Sequence, residues 1–162
     1  MHPALVLQLL ILLLVANGTP LIAKKILGEC CLYPLDGNLT FADRRPVFGR
    51  SKTIRGIVVA VAASTACAPL IGLDWRAGLL VGSFAMAGDL FSSFCKRRLG
   101  LPPSSRASGL DQIPESLLPL LACRDLLALS AADIAACVVM FVIGEVVLSR
   151  LLYALRLRDR PY

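Results

Sequence analysis

Charged and aromatic residues are scarce in this chain of 162 residues. Asp, Glu, Lys and Arg make up only 17% of it and aromatic residues only 6%, whereas apolar residues make up 57%. The mean hydropathy of +0.73 argues against an ordinary soluble domain. Nucleic acid is not an expected partner, because RNA and DNA binding needs a soluble basic face with aromatic stacking groups. We therefore predict an all-α, polytopic integral membrane protein.

Paired metal-binding and disulfide motifs are also missing. The chain has one His and six Cys, and no two cysteines form a C-x-x-C pair. Four of the cysteines lie in or beside apolar runs, where Cys behaves as a small apolar residue. We expect the cysteines to pack inside the protein rather than to bind a metal ion or form disulfides.

Four apolar runs are long enough to cross about 30 Å of hydrocarbon. They are Pro3–Ile22, Ile54–Leu73, Trp75–Phe94 and Asp133–Leu155. A fifth run, Ile113–Cys123, is short and contains two prolines, so we expect it to be tilted, broken or re-entrant. No Lys or Arg precedes the first run, which favours an uncleaved first helix over a signal peptide.

The Lys and Arg residues lie almost entirely on one side of the predicted membrane spans. All except Arg76 and Arg124 fall between the first and second spans, between the third and the short fourth, or at the C-terminal end. With about five spans, the positive-inside rule places the N-terminus outside and the C-terminus in the cytoplasm. We predict a single multi-pass domain, residues 1–162, in a prokaryotic cell membrane. Its two cytoplasmic loops, about 24–53 and 96–112, are expected to form one site.

An acidic residue stands inside the third apolar run, and three cations end that run. Asp89 precedes Lys96-Arg97-Arg98, and an acid at bilayer depth costs roughly 2.5–3.5 kcal/mol on insertion scales. Because Mg²⁺ prefers carboxylates together with phosphate oxygens, Asp89 is a natural metal ligand in phosphate chemistry at a lipid boundary. The alternative is a stop-transfer cluster in which Asp89 pairs with Lys96 or with a loop arginine.

The first loop contains a second candidate for phosphate binding. Gly49 and Ser51 can let backbone N–H groups approach an anion at the start of a helix. Lys52 and Arg55 would then neutralise phosphate oxygens. The alternative is that these cations only anchor the loop to anionic lipid.

Two further acids have more than one possible role. Asp111, at the start of the short run, is either a second metal ligand or an ordinary helix cap before Pro114. Glu145, inside the last run, can pair with Arg150, reach the membrane surface or face the site. The sequence does not decide between these roles.

Several of these segments resemble the CDP-archaeol synthase family, which is related to the phosphatidate cytidylyltransferases. The matching motifs are Asn17 with Pro20, Pro34-x-Asp36, Asp43 to Gly56, Gly88 to Leu101, and Leu110-Asp111-Gln112. The resemblance implies a five-span membrane enzyme that requires Mg²⁺ and transfers CMP from CTP to a lipid phosphate, releasing pyrophosphate. The lipid phosphate stays open between an archaeol-type lipid, phosphatidate and a similar lipid.

On this basis we predict three groups of site residues. The catalytic residues are Asp89, Lys96 and Asp111; the substrate-binding residues are Asn17, Lys52, Thr53, Arg55, Arg97 and Arg98; the metal ligands are Asp36, Asp43, Asp89 and Asp111. Two other classes of function are alternatives. A small transporter or channel would use Asp89 and Glu145 as pathway charges, and a non-enzymatic scaffold would bind anionic lipid through its basic loops.

Overall fold

The structure of this protein is a computed structural model that describes residues 2–28, 32–101 and 109–154, with side chains up to residue 147. Five helices follow one another along the chain: α1 Pro3–Leu27, α2 Ile54–Leu70, α3 Trp75–Arg98, α4 Gln112–Ala122 and α5 Ala131–Ala154. Within these ranges the only β pairing is two isolated antiparallel bridges in the loop between α1 and α2. The prediction of an all-α protein with five helical segments is confirmed.

The helices differ in how far each could reach across a bilayer. Helices α1 and α3 are both long and apolar enough to cross one, and α2 is a shorter apolar helix of 17 residues. Helix α4 has 11 residues, which at ~1.5 Å per residue span about 16 Å, roughly half of the hydrocarbon thickness. The segment expected to be short is therefore a helix that is shorter than the hydrocarbon layer is thick.

Helix α3 is longer than the apolar run from which it was predicted. It continues beyond Phe94 to Arg98, so that Lys96, Arg97 and Arg98 belong to its last turn. The second loop therefore begins after these cations and not at Lys96. The physical reason is that Lys and Arg are good helix formers and that positive charge stabilises the C-terminal end of a helix.

Helix α3 is the centre of the bundle, in contact with α1, α2 and α4, while α5 packs against α1 and α4. The buried core contains large apolar residues from four helices together with two free cysteines, Cys123 and Cys137. These two cysteines pack inside the protein as expected. Cys30 and Cys31 lie outside the described residues.

Three glycines let the neighbouring helices approach α3 closely. A Cβ atom added at Gly78 would lie 2.3 Å from the carbonyl oxygen of Ser64, and one added at Gly88 would lie 2.3 Å from that of Pro114. At Gly82 the added atom would lie 2.9 Å from the Cα of Val61. Because no side chain fits at these distances, small residues set the spacing of the helices, as in other membrane bundles.

We predict that Gly78→Ala destabilises the bundle by about 1–3 kcal/mol, because the added methyl group pushes α3 away from α2. The measurement is the melting temperature of the purified protein in detergent. Gly18→Ala is the matched control, since no described atom lies within 4 Å of its added Cβ. An equal effect of the two substitutions would contradict close packing at Gly78.

Candidate active site

A cavity of about 580 Å³ lies where the five helices meet the loop at residues 28–53, called here the first loop. The lining is rich in charge of both signs. The cations are Lys24, Arg50, Lys52, Arg55 and Lys96, and the carboxylates are Asp89, Asp111, Glu115 and Glu145. Such a mixture can bind a polyanion while also holding a metal ion.

Lys52 of the first loop is the partner of Asp89. Its Nζ lies 2.5 Å from both carboxylate oxygens of Asp89, although the two residues are 37 positions apart. Two backbone hydrogen bonds hold this part of the first loop in place. The carbonyl of Lys52 accepts from the N–H of Leu35, and the N–H of Ile54 donates to the carbonyl of Tyr33. Among the described side chains, the ion-pair partner of Asp89 is thus Lys52 and not Lys96 or a loop arginine.

Lys96 pairs with Asp111 in the same cavity. Their Nζ and Oδ1 atoms lie 2.8 Å apart, and both side chains are largely buried. Asp111 occupies the N-cap position of α4 but its side chain makes no capping hydrogen bond. Asp111 is therefore not an ordinary helix cap, and its role in the site stays a prediction.

Two further acids reach the cavity. Glu115, which is buried, lines the cavity, and so does Glu145 of α5. Glu115 is not among the site residues predicted from the sequence. The signal that could have found it is its spacing of four residues from Asp111, which places both on one side of α4.

Asp36 holds the first loop together and does not line the cavity. Its carboxylate accepts hydrogen bonds from the backbone N–H groups of Phe48 at 3.0 Å, Gly49 at 2.9 Å and Asn38 at 3.1 Å. Burial by itself raises the pKa of Asp36, but these three N–H groups outweigh it, so the pKa lies below the ordinary value of 3.8. Asp36 therefore has a structural role in the first loop, outside the cavity in which the other predicted metal ligands Asp89 and Asp111 lie.

Asp43 and Arg98 also lie outside the cavity, where they attach the first loop to the end of α3. Their side chains form an ion pair of 2.7 Å, and the Arg98 guanidinium also donates to the carbonyl of Pro46 at 2.7 Å. It lies over the rings of Phe41 and Phe94, 4.8 and 5.0 Å from the centroids. Asp43 was predicted as a metal ligand and Arg98 as a substrate-binding residue. Neither residue is part of the cavity lining.

The remaining predicted residues divide between the cavity and the protein interior. Asn17, Thr53 and Arg55 line the cavity. The Thr53 hydroxyl also accepts from the N–H of Gly56 at 3.2 Å, which caps α2. Arg97 is buried in the last turn of α3 and is not part of the cavity lining.

The cavity residues fit a Mg²⁺ ion. In the part of the chain with described side chains, no three His, Cys, Asp or Glu residues form a closed metal-binding group. Mg²⁺ does not need one, because it is usually bound by one or two carboxylates and completes its shell with water and phosphate oxygens. Asp89 and Glu115, which both line the cavity, are two carboxylates of that kind.

Comparison with known proteins gives the family. The model of the CarS-like CDP-archaeol synthase family matches residues 70–162. The CDP-archaeol synthase of Pyrobaculum calidifontis is 32% identical over 153 residues, which cover 91% of each chain. This chain belongs to the CDP-archaeol synthase family.

Other family members match a smaller part of the chain at higher identity. The CDP-archaeol synthase of Saccharolobus solfataricus is 38% identical over 104 residues, which make up 61% of this chain and 59% of that protein. The matched part of the chain thus spans about six tenths of the length of the Saccharolobus relative.

The fold is similar to that of a solved intramembrane enzyme for the biosynthesis of archaeal membrane lipids. The TM-score is 0.75 at 26% identity, and the superposition covers 87% of this chain and 90% of that one. The similarity in fold therefore extends over most of both chains.

We predict that Asp36→Asn lowers the melting temperature at neutral pH by the loss of about 1–3 kcal/mol, since a carboxylate accepting several N–H groups is replaced by a neutral amide. Because the pKa of Asp36 is lowered by folding, its contribution is present above the ordinary pKa of 3.8 and is lost as the pH falls through the folded value. The difference in melting temperature between wild type and variant should therefore shrink at acidic pH. A difference that stays constant from pH 7 down to pH 3 would contradict this role of Asp36.

Proposed function

We propose that this protein is a membrane CTP-dependent cytidylyltransferase, which converts a lipid phosphate to a CDP-activated lipid and releases pyrophosphate. The observation that carries the proposal is the convergence of two Lys–Asp pairs, Lys52–Asp89 and Lys96–Asp111, in one cavity at the ends of the helices. Membership of the CDP-archaeol synthase family supports the same reaction.

In the proposed reaction, an oxygen of the lipid phosphate attacks the α-phosphorus of CTP. The bond from the α-phosphorus to the bridging oxygen breaks, and pyrophosphate leaves with that bond's electron pair. No protein nucleophile is required, because reactions of this type depend on positioning and on neutralising charge. Lys52 and Lys96 both line the cavity, and we assign them the neutralisation of phosphate oxygens.

The first loop supplies a second element of phosphate binding. Lys52 and Thr53 directly precede α2, and Arg55 lies in its first turn. All three residues line the cavity. The N-terminus of a helix favours anions, because its first N–H groups and its dipole present partial positive charge. We assign binding of the nucleotide phosphates to this end of α2.

We assign the Mg²⁺ ion to Asp89, with Glu115 as the neighbouring carboxylate and Asp111 as a further ligand candidate. Bound there, the ion would neutralise the charge that develops on the phosphates. Lys52 already contacts both oxygens of Asp89, so it lies within reach of any phosphate bound beside that carboxylate. Asp89 thereby orients a cation as well as offering ligand oxygens.

The proposed topology places the cavity on the cytoplasmic side, where CTP is available. The distribution of Lys and Arg puts the first loop and the end of α3 in the cytoplasm, with the N-terminus outside and the C-terminus inside. The protein is then a multi-pass enzyme of the cell membrane. Its relatives favour an archaeol-type lipid phosphate as the substrate, with phosphatidate as the second candidate.

The test is to incubate the purified protein in detergent with labelled CTP, Mg²⁺ and a panel of lipid phosphates. We expect a CDP-lipid and an equal amount of pyrophosphate. Asp89→Asn should lower turnover by about 100-fold or more, the size seen when a charge-stabilising group is removed from an active site. Asp74→Asn is the matched control, since Asp74 caps the opposite end of α3 and Asn caps helices as well as Asp does.

Each alternative function gives a different result in the same system. Solute or ion flux through proteoliposomes without CTP would indicate a transporter or channel. Binding of anionic vesicles that survives Asp89→Asn, without CTP turnover, would indicate a scaffold. Failure to form a Mg²⁺-dependent CDP-lipid with any lipid phosphate in the panel would overturn the proposal.

A further inference from the structure

A second concave surface lies between α4 and α5, apart from the candidate active site. Its volume is about 460 Å³, which is in the range of ligand pockets. The two helices line it with apolar side chains at the spacing that places residues on one side of a helix. They are Leu117 and Leu121 of α4 and Ile134, Ala135, Val138 and Val139 of α5. This surface is called here the α4–α5 groove.

The end of the α4–α5 groove where α4 stops and α5 begins carries a positive charge. Arg124 is the charged residue in the lining, and it is exposed. Among the described residues, none forms an ion pair or a hydrogen bond with its guanidinium. The neighbouring Asp125 is also exposed and is not part of the lining. The groove therefore presents a cation that no described side chain pairs with.

Arg124 lies at the end of the bundle opposite the candidate active site. The preceding residue, Cys123, donates from Sγ to the carbonyl of Ala77 at 3.9 Å, and Ala77 is in the first turn of α3. Trp75, half exposed at the start of that helix, is of a type enriched where membrane meets water. Asp89 lies farther along α3 by about 18 Å. The charged end of the groove is thus at the membrane surface away from the nucleotide cavity.

We propose that the α4–α5 groove binds a membrane lipid with an anionic headgroup, whose phosphate lies at Arg124 and one of whose hydrocarbon chains lies in the groove. This lipid is a bound component of the protein and not a substrate, because the groove and the cavity with the two Lys–Asp pairs share no lining residue. The inference does not depend on the proposed function. In the proposed topology the lipid comes from the outer leaflet.

A hydrocarbon chain is the occupant that the apolar lining favours. Water does not fill an apolar hollow, because it finds no polar partners there. The groove extends along α5 from Ala131 to Val139, a length of about 12 Å over which an extended lipid chain can pack. Ile134 is buried, whereas Leu121 and Val139 are about half exposed. The groove thus has a closed floor and accessible apolar sides.

Arg124 selects among lipids by their headgroup. A guanidinium binds phosphate oxygens through two parallel hydrogen bonds, and a cation at the membrane surface attracts lipids of net negative charge. A lipid held there also braces α4, whose other end carries Asp111 and Glu115 into the nucleotide cavity. A bound anionic lipid should therefore stabilise the whole bundle.

The chain offers a matched control for each residue of the groove that is to be tested. Arg76 is an exposed cation at the same end of the bundle, but its guanidinium lies 5.8 Å from the ring centroid of Trp75 and is not part of the groove. Ala135 is exposed in the groove, and Ala62 is exposed on α2. Ala135→Leu and Ala62→Leu add the same atoms to two apolar helices, but only the first occupies the groove.

The experiment measures binding of phosphatidylglycerol, and of phosphatidylcholine with the same chains, to the full-length protein in detergent by native mass spectrometry. We expect Arg124→Gln to weaken binding of phosphatidylglycerol about fivefold, the effect of one cation near an anionic headgroup, and to leave phosphatidylcholine unchanged. Arg124→Lys should weaken it less, and Arg76→Gln should not weaken it. Binding at the nucleotide cavity is common to Arg124→Gln and Arg76→Gln and cancels in their comparison. Melting temperatures without lipid check that each variant is folded.

A photolabelling measurement locates the bound chain. Phosphatidylglycerol with a photoactivatable group on one chain should label residues 117–121 and 134–139 in wild type and Ala62→Leu, and label them less in Ala135→Leu. Labelling that Ala135→Leu does not reduce would overturn the inference, as would equal binding of phosphatidylglycerol by Arg124→Gln and Arg76→Gln. A dimer that Ala135→Leu dissociates would assign the groove to a second copy of the chain and also overturn it. Neither measurement uses turnover of CTP, so failure here is distinct from failure of the proposed function.

Discussion

A carboxylate within an apolar helix has to be matched by positive charge, and the structure of this protein depends on how Asp89 meets that requirement. Lys52 supplies the charge from a loop that precedes α2, and it contacts both carboxylate oxygens. A buried ion pair is tolerated only when its geometry is well fixed. The first loop must therefore be ordered, and Asp36 orders it from within through three backbone N–H groups.

The same principle applies along the whole end of α3. Asp89 pairs with the first loop close to α2, Lys96 pairs with Asp111 at the start of α4, and Arg98 pairs with Asp43 in the middle of the first loop. One helix thus holds two separate segments by charge: the first loop at two points, and the start of α4 at one. Two of these pairs face the cavity and can exchange partners with a polyanion, whereas the third keeps the loop attached.

The sequence predicted the helices well because long apolar runs leave few alternatives in a membrane. It also placed Asp89, Asp111, Lys52 and Lys96 on one side, since the loops that carry them lie on one face, and the structure has all four in one cavity. The parts that it missed depend on loop conformation. The hydrogen-bond donors to Asp36 are the backbone N–H groups of residues 38, 48 and 49. A pattern of side chains does not predict such contacts with the backbone.

The most direct test of the central claim is whether residues beside Lys52 and Asp111 enclose one nucleotide site on one side of the membrane. Ser51→Cys and Gln112→Cys, made one at a time in a cysteine-depleted protein, place a thiol beside each lysine–aspartate pair without removing either pair. In sealed vesicles of known orientation, a membrane-impermeant thiol reagent should react with both from the cytoplasmic side, and CTP with Mg²⁺ should slow both reactions. Reaction of the two thiols from opposite sides, or reaction unaffected by CTP, would contradict the account.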